Sequence, residues 1–440
     1  MANASQPLRA SITNAYANAG LWGLGSGLAS MTLAIYFARE FNASGTAIGW
    51  LLAAPSFVGL LRLWAPRWLH LVGSRRRFCI GAFLASAAAL AALPMVAAPG
   101  VLGDSRTSIF ALGAAWTAYQ VLEFFGVVVL WSWLGDLVPA RVRGRFIGRR
   151  EAWTTAGAVA GSILAAGATL WWTQHCKATE QPELAWKAYA ACASFGAALL
   201  ALATMPLSRM LDPPLQGDML NSTPSVRELF APWSDPQFRR FLYFGLWFSM
   251  ANGLAQSPRN IFMASILKLD FAAKRLLDGG SRGAQVLLLP WTGRVVDRRG
   301  NVPVLVATWA IVSLGSLFFL LASPASKWWI AWAYGCWIAY AGLNVTLPNL
   351  MLGLSRPGAS AAYTASWFAW TNLAYAASVL AGGQLFDWLA EAWTPQEFYG
   401  WRVDHFTVLF MLSGALMAVG IALAARVPEP GRPENTQESG

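Results

Sequence analysis

Twelve runs of about twenty mostly apolar residues, bounded by charge or by Pro and Gly, dominate this 440-residue chain. A helix needs roughly 20 such residues to cross the hydrocarbon core of a bilayer. The runs lie at 15–38, 47–69, 78–98, 108–134, 147–173, 184–206, 240–265, 271–293, 303–323, 328–354, 359–386 and 404–425. Only 12% of the residues are charged, against the roughly 25% that covers an average soluble domain, and 56% are apolar. The 24 Trp and 40 Gly fit interfacial aromatic belts and close helix contacts. In lipid every backbone polar group is satisfied within its own helix. The expected fold class is therefore all-α, a polytopic membrane protein of twelve transmembrane helices. A soluble enzyme, a disordered chain and a coiled coil are excluded.

The spans divide six and six around a stretch holding Pro213, Pro214, Pro224, Pro232 and Pro236. The expected organisation is an N-terminal six-helix bundle over 1–206, a cytoplasmic interdomain linker over 207–237, a C-terminal six-helix bundle over 238–427 and a disordered cytoplasmic tail over 428–440. Arg9 is a thin n-region and the first apolar run is long without a clear cleavage site, so the first helix is expected to be retained.

Charge sets the orientation. Of 32 Lys and Arg, nine fall on the side opposite the N-terminus (Arg39, Arg106, Lys177, Lys187, Lys268, Lys274, Arg275, Lys327, Arg402) and two, Arg259 and Arg282, at membrane depth, leaving 21 on the N-terminal side. The positive-inside rule then places both termini in the cytoplasm and accounts for the net charge of +11 without nucleic acid. Cys79, Cys192 and Cys336 lie in predicted helices and Cys176 in an outer loop, with no pair suggesting a disulfide. His70, His175 and His405 sit at three different connections, so no metal site is expected, and no cofactor.

The two halves repeat. Gly20-Leu21-Trp22 and Gly27-Leu28-Ala29 of the first span recur as Gly245-Leu246-Trp247 and Gly253-Leu254-Ala255 of the seventh, and the loop after the second span aligns with that after the eighth, Gly73 on Gly300. Gly293-Arg294-Val295-Val296-Asp297-Arg298-Arg299-Gly300 matches the pattern glycine-x-x-x-aspartate-basic-x-glycine, and Asp136-Leu137-Val138-Pro139-Ala140-Arg141-Val142-Arg143-Gly144 resembles acid-x-x-proline-x-x-x-arginine-glycine. In these loops the chain resembles the major facilitator superfamily over essentially all twelve spans. The resemblance implies two pseudo-symmetric six-helix bundles and a conformational latch at Gly293, Asp297, Arg298 and Gly300, with Asp136, Arg143 and Gly144. The first-half copy departs from the pattern, with Pro66 at the glycine position and His70 at the aspartate position. The chemistry of the loop is readable by itself: Gly293 admits a close backbone, and Asp297 can accept from basic neighbours or cap a facing helix. The bland alternative is a solvated basic loop.

A charge at the centre of a membrane helix costs roughly 2.5–3.5 kcal/mol on insertion scales, so each is a site candidate. Glu123 lies near the middle of the fourth span with Tyr119 and Gln120 one turn back. In apolar surroundings it could bind and release a proton, or fasten helices through hydrogen bonds. Arg282 is some ten residues from either end of its span and is expected to face a cavity, meeting Glu123, Asp278 or an anionic substrate, unless the eighth span is broken near Gly279 and Gly280. On the seventh span Asn252 and Gln256 share a face continued by Arg259 and Asn260, and the tenth offers Tyr340 and Asn344. The resemblance implies that the first, fourth, seventh and tenth spans line the central cavity. Trp22 and Trp367 are candidate aromatic walls or lipid-belt residues.

The expected function is secondary active transport of a small organic solute by alternating access, with proton coupling through Glu123 as a separate expectation. A transporter-like sensor or assembly factor is the alternative. The chain has no H-E-x-x-H and its apolar runs leave no soluble catalytic domain, so no enzyme is expected, and the lack of a P-loop removes nucleotide-driven transport. The expected partners are a small-molecule substrate, protons and the lipid bilayer, with no nucleic acid. The expected state is a monomer in a bacterial inner (cytoplasmic) membrane.

Overall fold

The computed structural model describes residues 5–30, 33–34, 51, 54–96, 101–102, 104–214, 230–269, 271–356, 359–398 and 401–430. The end of the expected first span, the start of the second, the linker around Pro224 and the tail from 431 lie outside the described residues.

Within that range the chain is a polytopic membrane bundle of helices. The spans begin with Ser5–Leu28, a second built from Gly59–Trp64 and Ala65–Val72, then Arg75–Val96, Ser105–Leu137, Ala140–Ala178 and Trp186–Leu202. The second half holds Pro236–Leu254 with Gln256–Ile261, then Phe271–Arg299, Asn301–Leu321, Trp329–Trp337 with Tyr340–Gly353, Ser360–Ala392 and His405–Ala425. Six of these helices are long and apolar enough to span a membrane unbroken by length and composition. A two-stranded antiparallel hairpin, Gln396–Phe398 with Trp401–Val403, joins the last two spans, a feature the apolar periodicity does not announce.

Short polar residues start several helices. Asp104, Asp235 and Asp404 accept from the backbone N–H of Thr107 (2.9 Å), Gln237 (3.1 Å) and Thr407 (2.9 Å). Each cap of this kind contributes roughly 0.5–2 kcal/mol. The turns after the second and eighth spans close on Gly73 (φ 68°) and Gly300 (φ 91°), left-handed positions where any side chain would strain the backbone. Just beyond each turn an acid from the end of its own half is bound. Ser74 Oγ donates to Asp212 Oδ2 at 2.6 Å, while Glu429 accepts from the Asn301 and Val302 N–H groups, each at 2.7 Å. Glu429 is thus a helix cap and Pro430 packs over Gly353, so the start of the expected tail lies against the ninth and tenth spans, and the rest of it lies outside the described residues.

Gly27 and Gly253 of the repeat sit at equivalent crossings, with Gly23 one turn before Gly27 at the first of them. A Cβ on Gly23 or Gly27 would run into the fifth span at Thr154 and Ala158, and one on Gly253 would come within 2.8 Å of the Tyr375 carbonyl of the eleventh. The eighth span is continuous through Gly279 and Gly280. The interruptions fall instead in the seventh span, at Ala255, and in the tenth, at Ile338–Ala339.

The apolar core shows how the halves meet. One cluster joins residues of both, including Phe125, Trp131 and Phe146 with Leu289, Leu350 and Trp367. The other two each belong to a single half, Ala29 to Leu200 in the first and Phe262 to Phe410 in the second. The shared cluster lies toward the end that carries the arginine-rich loops, called the basic end below.

Candidate functional site

Where the halves meet, four contacts close the basic end. The fifth and eighth spans cross at Gly144, Gly148 and Gly293 so closely that a Cβ on Gly293 would overlap the Gly144 carbonyl. Beside that crossing, Asp297 Oδ2 accepts from the Arg145 N–H at 3.0 Å and its Nε at 3.3 Å. Ser132 and Ser360 share a hydrogen bond of 2.6 Å between the fourth and eleventh spans, and Leu352 packs over Gly135. Asp297 sits beyond the apolar part of its span. Burial raises its pKa, against the opposing pull of hydrogen bonds from Arg145 and Gly144.

The other latch candidates lie beside this closure with partners of their own. Asp136 is an ion-pair partner of the fully buried Arg75, not of Arg143. Arg143 donates instead to the Gly135 carbonyl at 3.1 Å, covering the end of the fourth span. Arg298 is exposed beside Trp291 and Arg294, away from the crossing.

Above this closure lies a cavity of about 300 Å³ between the halves. Its walls are largely apolar, with aromatic rings from Trp22, Phe83 and Trp131 of the first half and Trp367 and Phe368 of the second. Four polar side chains reach it: Arg150, Glu151 and Thr154 on the fifth span and Asn344 on the tenth. Arg150 Nη1 donates to Glu151 Oε1 at 2.8 Å, and the guanidinium lies 4.9 Å from the Trp131 ring centre, within cation–π range. Arg150 is 7% exposed and its Nε has no hydrogen-bond partner. The ion pair is missing from the sequence reading because Arg150 stands in a run of arginines that topology alone explains. The available signal was Glu151, an acid four residues inside the predicted span 147–173.

The expected site residues divide into three groups. Asn344, Trp22 and Trp367 line the cavity. Glu123, 7% exposed, lies behind its wall, facing Tyr119 and the Trp22 indole. Gln120 is half-buried on the same helix and does not line the cavity. Asn252 and Arg259 form a separate cluster where the seventh span is interrupted. Tyr340 donates to Asn252 Oδ1 at 2.5 Å, and Arg259 donates to the Asn252 and Ala255 carbonyls, each at 3.0 Å, with Trp337 5.2 Å away. Arg259 pairs with no carboxylate among the described residues; it stabilises carbonyls at a helix end, where a cation is favoured.

Two expectations are corrected. Gln256 is exposed and begins a new helix, because the break at Ala255 ends the face it would share with Asn252; its carbonyl accepts from Asn260 at 3.0 Å. Arg282 is exposed and does not face the cavity. Its intrahelical neighbour Asp278 accepts from Tyr334 at 2.8 Å instead. A buried cation that spacing did not single out is Arg62, 3% exposed, bonded to the Gly59 carbonyl at 2.7 Å and lying 3.9 Å from the Phe124 ring centre. Among the described residues no group of three or more His, Cys, Asp or Glu could hold a metal ion.

This architecture is shared with solved membrane transporters. The chain superposes on the E. coli fucose:proton symporter (TM-score 0.71, 13% identity, 95% of this chain and 98% of that one) and on a proton:xylose symporter bound to 6-bromo-6-deoxy-D-glucose (0.67, 13%, 97% of both). It also superposes on a human organic anion transporter (0.64, 15%, 95% of this chain and 99% of that one). No protein-family model and no curated protein matches the chain in sequence. At these identities the likeness is one of fold: the chain is an integral membrane protein with the major facilitator superfamily fold, twelve spans in two six-helix halves.

Proposed function

We propose that the protein is a secondary transporter that moves a small organic solute across a cytoplasmic membrane by alternating access of its two halves. The observation that carries this reading is the cavity between the halves, which holds a buried ion pair and is sealed at the basic end by contacts that can part without breaking either half. A charge pair held in an apolar site is expensive unless something uses it. By the positive-inside rule the basic end is cytoplasmic, so this conformation is closed to the cytoplasm. Residues 1–206 and 238–427 act as the two rocking bodies, joined by 207–237.

Glu123 is assigned a supporting role. Its carboxyl faces the Trp22 indole from behind the cavity wall and holds that ring in place. Function as a sensor without transport is less well supported, because that reading favours a centre filled by bulky side chains. Counterflow into proteoliposomes tests the choice. Purified protein exposed to labelled sugars, carboxylates and amines should exchange one class, and the Arg150→Ala variant should lose that exchange by tenfold or more. Absence of exchange for all three classes, in protein that still folds, would favour the sensor.

A further inference from the structure

The chemistry of the cavity narrows the solute further, an inference that rests on the transport reading above. At about 300 Å³ the space lies at the lower end of the roughly 300–1,000 Å³ typical of small-molecule pockets, so the solute is compact. Its body must be apolar, because five aromatic rings and several aliphatic side chains form the walls. Spare donor capacity sits on Arg150. One nitrogen is used by Glu151 while Nε is buried without a partner, and a guanidinium offers five N–H groups in a planar fork that matches a carboxylate.

An incoming anion would compete with Glu151 for that fork. The pair is neutral as it stands, and a third, negative charge brought into an apolar cavity is strongly disfavoured unless another charge is cancelled. Protonation of Glu151 cancels it and frees Arg150. The surrounding spans carry Tyr16 on the first, Tyr119 and Glu123 on the fourth, Asp297 on the eighth, Tyr340 on the tenth and Tyr363 on the eleventh. None of these acts on the Glu151 carboxyl, where Arg150 is the charged neighbour.

We propose that the cavity binds a compact monocarboxylate with an apolar or aromatic body, whose carboxylate replaces Glu151 on Arg150 while Glu151 takes up one proton. Charge balances: one anion and one proton enter together, and the site stays neutral. Each transport cycle then moves one proton with each carboxylate.

Benzoate, benzamide and benzylamine serve as probes of one shape and three charges, with binding measured on the full chain in nanodiscs. Benzoate should bind at least tenfold more tightly than either isostere. Its affinity should fall by up to tenfold per pH unit on the alkaline side, the signature of one co-bound proton. Glu151→Gln should keep benzoate binding and flatten that slope. Glu123→Gln should weaken binding at every pH through Trp22 while leaving the slope in place. Arg150→Lys should bind more weakly than wild type and more tightly than Arg150→Ala, with elution profile and Tm confirming that each variant is folded.

Benzylamine or benzamide binding as tightly as benzoate would overturn the proposal, as would a slope that persists in Glu151→Gln or disappears in Glu123→Gln. Failure to bind benzoate also overturns it. Counterflow separates the two levels of inference: exchange of sugars or amines but not benzoate refutes the substrate class and keeps the transporter, whereas benzoate binding without exchange keeps the site and refutes transport.

Discussion

The same crossing is built twice in this molecule, with different chemistry. Where the eighth span meets the fifth, three glycines bring backbones into contact and Asp297 is bound by Arg145. Where the second meets the eleventh, Pro66 and His70 occupy the matching loop positions, and both ring nitrogens of His70 are buried without a partner. Arg62 nearby is bonded to its own helix and stacked on Phe124. The duplicated scaffold therefore carries the close approach and the Asp297–Arg145 pair on one side, while the matching positions on the other hold Pro66 and an unpartnered His70. The difference teaches that the repeat fixes where the halves touch, while individual side chains decide how firmly.

The largest expected effect tests the close side. Gly293→Val forces side-chain atoms into the Gly144 carbonyl, and overpacking of this kind typically costs about 1–3 kcal/mol or more. Thermal unfolding in detergent should show a Tm several degrees below wild type. Gly81→Ala, which meets nothing within 4 Å, should stay close to wild type; equal losses in both would remove the crossing's special status.

Charge at the two crossings should act with opposite sign. Asp297→Leu removes hydrogen bonds involving a charged acceptor, each worth roughly 1.5–3 kcal/mol, and should lower Tm. His70→Leu removes two unpartnered buried nitrogens and should be neutral or stabilising by about 1 kcal/mol. If His70→Leu destabilises as much as Asp297→Leu, the first-half loop has polar contacts that the comparison denies it.

A smaller effect lies at the start of the second half. Burial would raise the pKa of Asp235, but hydrogen bonds from Tyr363, the Phe238 N–H, Arg356 and the Gln237 N–H outweigh it and hold the carboxyl below its ordinary range. Its stabilisation is therefore fully present above the ordinary carboxylate value and is lost as pH falls through the depressed one. Asp235→Ala should cost about 1 kcal/mol at neutral pH, as loss of an N-cap does, and should make acid unfolding shallower. An unchanged acid limb in Tm against pH would show that the cap carries no linked proton.

Local spacing made the scaffold legible before any coordinates. The Gly27 and Gly253 pair of the repeat, at offset 226, marks the crossings of the first and fifth and of the seventh and eleventh spans, because backbones in contact leave no room for a Cβ. The Gly293 to Gly300 loop is likewise where the halves lock. The site was harder to read. Arg150 was hidden among arginines placed by topology, since a sequence count cannot see that one of them turns inward while Arg149 remains exposed. Arg282 misled for the converse reason: its depth along the helix was clear, but which face it occupies depends on neighbours far away in the chain. Gln256 was lost to a helix break at Ala255, between Gly253 and Pro258, whose stop signals are hidden inside a continuous apolar run, and Glu429 to a tail whose composition reads as disordered although two backbone N–H groups bind it.

On the proposed mechanism, the Arg150–Glu151 cavity is reached from alternate faces as the contact between Asp297 and Arg145 is broken and remade. Asn344→Cys, placed in the cavity wall of a chain whose four native cysteines are replaced, reports access to a membrane-impermeant maleimide from each side. With Asp297 intact, labelling from the cytoplasmic face should be slow. Adding Asp297→Ala should raise that rate about tenfold or more and lower the rate from the opposite face. Equal labelling from both faces, or rates unmoved by the loss of Asp297, would contradict the account.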